Sequence, residues 1–253
     1  MIGKYRAIYF DLDDTLCGYW DAAKAGLQVT FQYLEETNSS IPKGAALKAW
    51  ITEFRDFCPK LKALGWYEKY LVSGEKTRYE LMRRTLLRLN MEETDLASKL
   101  SLLYFNERQK ALKLFEESLP VLNHIQGKLH VGLITNGPSD VQNCQIELLK
   151  LRQYFNSILI EGELGFGKPD QRVFALAENQ AQVQPHQTLF VGNSFNHDIL
   201  PALTKGWDTF WVRRPSDVPP SAEYDALPEV RSSNLPAPTY EFDSLIPLFE
   251  ILS

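Results

Sequence analysis

Five short runs rich in β-branched and aromatic residues punctuate the chain: AIYF (7–10), VGLIT (131–135), SILI (157–160), TLFVG (188–192) and TFWV (209–212). Each is apolar at consecutive positions and bounded by polar or glycine residues, which predicts strands buried on both faces. From the second run onward, helix-like segments separate them. SDVQNCQIELLKLRQYF (139–155) opens with Ser139 and Asp140, good N-cap residues. KPDQRVFALAENQA (168–181) offers Pro169 and Asp170 at a helix start and an apolar face through Val173, Phe174 and Ala177. Strands alternating with helices predict an α/β fold, a doubly wound parallel sheet covered by helices.

Residues 18–117 show no such run. Leu27, Phe31 and Leu34 recur at helical spacing, as do Leu47, Trp50, Ile51 and Phe54. Tyr79, Met82, Leu86 and Leu89 form a third stripe, and Leu96, Leu100 and Leu103 a fourth; NSSIPKG (38–44) reads as a turn between helices. About a hundred helical residues therefore separate the first strand from the second. The expected organisation is a core of residues 1–17 and 116–253 with a helical domain, 18–115, inserted. Segment 213–240 is rich in proline and polar residues and reads as an irregular surface strap, and the last stretch, EFDSLIPLFEIL, as a short helix docked on the core.

The chain has 253 residues, is 44% hydrophobic and 23% charged, and carries a net charge of −5. These are the proportions of a globular protein with a sizeable core. No stretch is strongly basic, so nucleic acid and anionic membranes are not expected partners. No apolar stretch approaches the roughly 20 residues of a membrane helix. Cys17, Cys58 and Cys144 are scattered and odd in number, as free thiols in a reducing compartment would be, which makes the cytoplasm the expected location.

The runs end in reactive polar groups. Asp11-Leu12-Asp13-Asp14-Thr15 follows the first, Thr135-Asn136-Gly137 closes the second, Lys168 lies in a glycine-rich loop after the third, and Gly192-Asn193-Ser194 with Asp198 follows the fourth. Open parallel sheets bind ligands beyond the carboxyl ends of their strands, so these groups are expected at one edge. Three carboxylates within four positions repel one another, and a hard divalent cation such as Mg²⁺ would relieve this. Lys168 adds positive charge and Thr135 a hydroxyl beside backbone amides, parts suited to phosphate. Together they point to phosphoryl transfer. Singly, each has a plainer account: a capping Asp, an Asn-Gly turn, a solvated lysine.

In this order the motifs resemble those of the haloacid dehalogenase (HAD) superfamily of hydrolases. DxD followed by Thr matches Asp11, Asp13 and Thr15. A strand ending in Thr matches Thr135, a lysine before Pro matches Lys168, and Gly-Asp with a later Asp matches Gly192, Asn193 and Asp198 with one substitution. The resemblance covers about 2–16 and 119–212, and the helical insertion has the position and size of the family's cap. It implies an aspartyl-phosphate mechanism with Asp11 as nucleophile and Asp13 as general acid and base. Asp11, Thr135, Asn136 and Lys168 would hold the phosphoryl group, and Asp11, Asp13, Asn193 and Asp198 would hold Mg²⁺. The expected substrate is a small phosphorylated metabolite, a nucleoside monophosphate or sugar phosphate; monomer and homodimer stay open.

Asn193 stands where the family usually carries a metal-ligating Asp. Weaker metal binding is expected, and two alternatives follow: a metal-independent dehalogenase, or a non-catalytic protein that binds phosphometabolites. Asp13 favours the phosphatase, because a departing halide needs no acid. Lys76, Arg78, Arg83, Arg84 and Arg88 read as a solvated helix face, with contact to an anionic substrate as the sharper alternative. Tyr19, Trp20, Trp66 and Tyr67 read as packing residues of the insertion or, more sharply, as a wall for a flat or sugar-like leaving group.

Overall fold

The computed structural model describes residues 3–92, 94–223 and 226–253. Residues 1 and 2 of the expected core, and residues 224 and 225 of the expected strap, lie outside the described residues. The strands are β1 (Ala7–Phe10), β2 (His130–Thr135), β3 (Ser157–Ile160), β4 (Thr188–Gly192), β5 (Asp208–Val212) and β6 (Tyr240–Phe242). They form one parallel sheet in the order β3-β2-β1-β4-β5-β6. The chain builds outward from β1 in one direction, then crosses back to β4, so the switch point lies between β1 and β4.

Residues of β1 alternate between two apolar layers, as strand geometry requires. Ile8 and Phe10 pack with Val121 and Leu122 of α6 (Ser118–Ile125), Ile146 of α7 (Ser139–Leu148) and Leu248 of α11 (Leu248–Ile251). Ala7 and Tyr9 face Val173, Phe174 and Ala177 of α9 (Gln171–Ala181) and Ala202 of α10 (Leu200–Lys205). Helices thus cover both faces, and β1 is fully buried. Each such Ile or Phe contributes about 1.5–3 kcal/mol through burial.

Among the described residues, five α-helices lie between β1 and α6: α1 (Tyr19–Thr37), α2 (Ala45–Phe57), α3 (Tyr67–Val72), α4 (Gly74–Arg88) and α5 (Thr94–Ala111). Leu27, Phe31, Leu34, Trp50, Met82, Leu86 and Leu100 form an apolar core separate from the two layers on the sheet. The expected stripes supply these residues, Ile41, Phe57, Leu61, Leu81 and Tyr104 join them from outside the stripes, and Leu47 is exposed. This helical body meets the core at α7, where Asp140 Oδ1 accepts from Gly74 N at 2.9 Å. It also meets α8 (Glu161–Leu164), where the Tyr67 hydroxyl donates to Glu161.

Three local details differ from the sequence reading. Helix α7 ends at Leu148 rather than running through 155, because Lys150 turns the chain in the left-handed region (φ 54°). Its N-cap is Pro138, while Asp140 holds the helical body instead. Strand β6 was not foreseen: it is a three-residue edge strand, half-buried to exposed, and lacks the apolar signature of a central strand. Helix α9 starts as expected, with the Asp170 side chain accepting from Arg172 N.

Candidate active site

Asp11 is the first residue past β1, and its N–H donates to Val191 O of β4 at 2.9 Å, which places it at the switch point. Its two carboxylate oxygens face different partners. Oδ1 accepts from Lys168 Nζ at 2.6 Å and Oδ2 from Thr15 Oγ1 at 3.1 Å. Lys168 Nζ also lies 2.7 Å from Asp198 Oδ1, and Asp198 Oδ2 accepts from Ser194 N at 3.0 Å. Burial alone would lower the lysine's pKa, but the attraction of Asp11 and Asp198 outweighs it and raises the pKa. Burial raises the Asp11 pKa against the pull of Lys168.

Asp13 is half-buried and accepts at Oδ2 from Gln142 Nε2 at 3.1 Å; Gln142 Oε1 in turn accepts from Thr135 Oγ1 at 2.8 Å. Desolvation, reinforced by Asp11, pushes Asp13 up to about 7. Asp14 takes a left-handed conformation (φ 59°), accepts from Trp20 N at 3.0 Å, and is pushed by burial up to about 9. Asn136 clamps the Lys168 backbone: its Oδ1 accepts from Lys168 N at 2.9 Å and its Nδ2 donates to Lys168 O at 2.6 Å. That side chain acts by fixing the lysine loop.

Asn193 points inward. Its Oδ1 accepts from Thr15 Oγ1 at 3.1 Å, and its Nδ2 donates to Asp217 Oδ2 at 2.9 Å. Thr15 has one hydroxyl hydrogen for two acceptors, Asp11 Oδ2 and Asn193 Oδ1, so two oxygens converge on a single donor. Among the described residues no group of three or more His, Cys, Asp or Glu side chains is arranged to enclose a metal ion. A cation here would be held by the two converging oxygens and completed by water and phosphate oxygens. That donor set fits Mg²⁺, which commonly keeps several waters. Both Asp198 oxygens are engaged by Lys168 and Ser194, so this residue holds the lysine.

The expected residues Asp11, Asp13, Thr135, Asn136, Lys168, Asn193 and Asp198 all line one cavity of about 570 Å³ between the sheet edge and the helical body. Tyr19, Trp20, Trp50, Phe54, Tyr67 and Tyr70 supply aromatic wall, whereas Trp66 packs on Phe57 instead. Of the basic cluster, only Arg78 reaches the cavity; Arg83 and Arg84 bind Glu80, and Arg88 binds Glu53. Buried Arg108, not singled out in the sequence, joins it, with no carboxylate within 4.0 Å among the described residues. Gln142 and Asp217 were also missed: their positions in sequence carry no local signal, and their importance comes from distant partners. Cys17 is buried and its thiol is raised by burial, so it is not an activated nucleophile.

A doubly wound sheet with these groups at its switch point defines a hydrolase of the HAD type. Residues 5–203 match the family model described as haloacid dehalogenase-like hydrolase, and the chain belongs to that family. It is 27% identical over 235 residues to the pyrimidine 5′-nucleotidase YjjG of Escherichia coli, covering 90% of this chain and 96% of the relative. It is 25% identical over 261 residues to the human N-acylneuraminate-9-phosphatase, covering 99% and 95%. Among solved structures, Bacillus subtilis YfnB bound to magnesium superposes with a TM-score of 0.70 at 23% identity, covering 98% of this chain and 99% of that one. The L-2-haloacid dehalogenase of Xanthobacter autotrophicus, with chloropropionic acid covalently bound, shares the fold with a TM-score of 0.68 at 18% identity, covering 98% of both chains. No described helix is long and apolar enough to cross a membrane.

Proposed function

We propose that the chain is a Mg²⁺-dependent phosphatase that hydrolyses a small phosphate monoester, a nucleoside monophosphate or a sugar phosphate, through an aspartyl-phosphate. The observation that carries this reading is the division of labour between Asp11 and Asp13. Burial pushes both carboxyls up, Asp11 to about 6 and Asp13 to about 7, but their partners differ: Asp11 is paired with buried Lys168, whereas Asp13, two residues on, is held by the Gln142 amide and can carry a proton. A halide departs unaided, but an alkoxide leaving group needs that proton.

In the first step the Asp11 carboxylate attacks phosphorus, the bond to the ester oxygen breaks, and Asp13 gives its proton to that oxygen. In the second, the Asp13 carboxylate takes a proton from water, water oxygen bonds to phosphorus, and the bond to Asp11 breaks to release inorganic phosphate. Lys168 keeps Asp11 oriented and adds positive charge beside the phosphoryl oxygens. Thr135 and Gln142 hold Asp13 in reach. Mg²⁺ held at Asp11 and Asn193 would offset the repulsion between carboxylate and phosphate.

Residues 18–115 serve in this reading as a cap over the core formed by 1–17 and 116–253, excluding bulk water from the reaction. The aromatic wall and the nearby Arg78 and Arg108 support a flat or sugar-like leaving group with polar or anionic character. The names of YjjG and N-acylneuraminate-9-phosphatase point the same way. Free thiols at Cys17, Cys58 and Cys144 fit the cytoplasm. A screen of phosphorylated metabolites by inorganic phosphate release, and of 2-haloacids by halide release, tests the substrate class. Turnover of nucleoside monophosphates or sugar phosphates supports it, and turnover confined to 2-haloacids would replace it with the dehalogenase.

A further inference from the structure

Asn193 introduces two problems for a metal pocket. A neutral amide removes one negative charge, and an amide has a donor end as well as an acceptor end. If Nδ2 faced Asp11, the pocket would present a hydrogen-bond donor where a cation needs an oxygen.

Asp217 answers both. Its Oδ2 accepts from Asn193 Nδ2 at 2.9 Å, which turns the amide so that Oδ1 meets Thr15 Oγ1 on the Asp11 side. Asp217 is half-buried and has no basic side chain within 4.0 Å among the described residues. Burial raises its carboxyl, the Asn193 amide pulls it down, Asp11 and Glu229 push the same way as burial, and Lys24 opposes them. A carboxylate in that setting is left uncompensated unless a cation shares the pocket.

The contact is held in place. Two residues downstream of β5, Arg214 donates to Thr15 O at 3.2 Å, pairs with Glu117 at 2.7 Å and stacks 3.6 Å from the Phe115 ring centroid. Asp217 N then donates to Arg214 O at 3.1 Å, closing a turn. Further along, Glu229 accepts from Ser194 Oγ at 3.1 Å and Phe195 N at 2.8 Å. Among the described residues, the proline-rich strap therefore grips the Gly192-Asn193-Ser194 turn with two carboxylates, of which the one at 217 reaches Asn193.

We propose that Asp217 is a positioning residue of the metal pocket. It fixes Asn193 with its amide oxygen toward Asp11 and returns from the strap the negative charge that the fourth motif lacks. This rests on the Mg²⁺ reading above.

The test is isothermal titration calorimetry with MgCl2 on the wild type, Asp217→Asn, Asn193→Asp and the exchanged double variant Asn193→Asp/Asp217→Asn. Loss of the Asp217 carboxylate that holds Asn193 should weaken Mg²⁺ binding about tenfold or more. The exchanged pair restores both the charge and a carboxylate–amide bond, and its Kd should return to within about threefold of the wild type. Misfolding would lower the stoichiometry, whereas a lost positioning contact changes Kd. An unchanged Kd in Asp217→Asn overturns the assignment alone, as does a double variant as weak as Asp217→Asn. A wild type that binds no Mg²⁺ overturns the assignment together with the metal reading.

Discussion

Lys168 Nζ sits 2.6 Å from Asp11 Oδ1 and 2.7 Å from Asp198 Oδ1, all three side chains being buried. One lysine thus separates two carboxylates that would otherwise face each other without a counter-charge. Removing one member of a buried charged group typically costs about 3–5 kcal/mol, because its partner stays desolvated and unpaired. Lys168→Met should lower stability by about that amount in denaturant melts. It should also lower kcat by about 10²–10³-fold, the usual loss when one stabilising donor is removed. A variant with wild-type stability and turnover would show that the lysine is a bystander.

Asp13 gives a prediction with a definite sign. Burial pushes its carboxyl from an ordinary 3.8 up to about 7. Between those values the folded state binds more protons than the unfolded chain, so this group's contribution to stability is present at low pH and is lost as pH rises through about 7. Asp13→Asn cannot lose a proton. In urea melts with EDTA, its stability relative to the wild type should rise by up to about 1 kcal/mol per pH unit between pH 4 and 7. The Tm increase from Mg²⁺ on the wild type should likewise grow over that range, since cation binding favours ionised carboxylates. A stability difference that is flat with pH would refute the raised pKa.

Gly162 carries the contact between α8 and the helical body. A Cβ there would lie within 3.0 Å of Leu71 O, Ser139 N and Gly137 O, all backbone atoms with little freedom to yield. Gly162→Ala should therefore push α3 away from the core. Overpacking of this kind costs about 1–3 kcal/mol, and with the cavity held open KM should rise several-fold more than kcat falls. Unchanged KM and Tm would show that the two bodies do not need this close approach.

Gly192 plays a matching part under the fourth motif. An added Cβ would fall 2.6 Å from Asp198 Cβ and Cγ, in the space that carboxylate crosses to reach Ser194 N and Lys168. Gly192→Ala should displace Asp198 and lower kcat by at least tenfold, by the lysine's misplacement. Wild-type kcat would contradict the role given to Asp198 in holding Lys168.

Particular residues show what could be read from the chain. Apolar runs marked β1 to β5 because strands buried on both faces have no polar alternation to confuse them. The edge strand β6 stayed hidden, since Glu241 and Phe242 are exposed and its pairing with β5 is a tertiary event. Asp11, Thr135, Lys168 and Asp198 were legible because each follows a strand in a fixed order and parallel topology brings strand ends together. Gln142, Arg108 and Asp217 were not, because a helix surface and a proline-rich strap give no local sign of what they will meet. Asp198 was legible as a site residue, yet its engagement of Lys168 is visible only in three dimensions.

The most direct test of the central claim is inorganic phosphate release from p-nitrophenyl phosphate by the wild type and Asp11→Asn, each with EDTA and with MgCl2. Turnover by the wild type should disappear with EDTA, return with Mg²⁺ and be absent from Asp11→Asn in both conditions. Turnover that survives in Asp11→Asn, or that ignores EDTA, would contradict the claim.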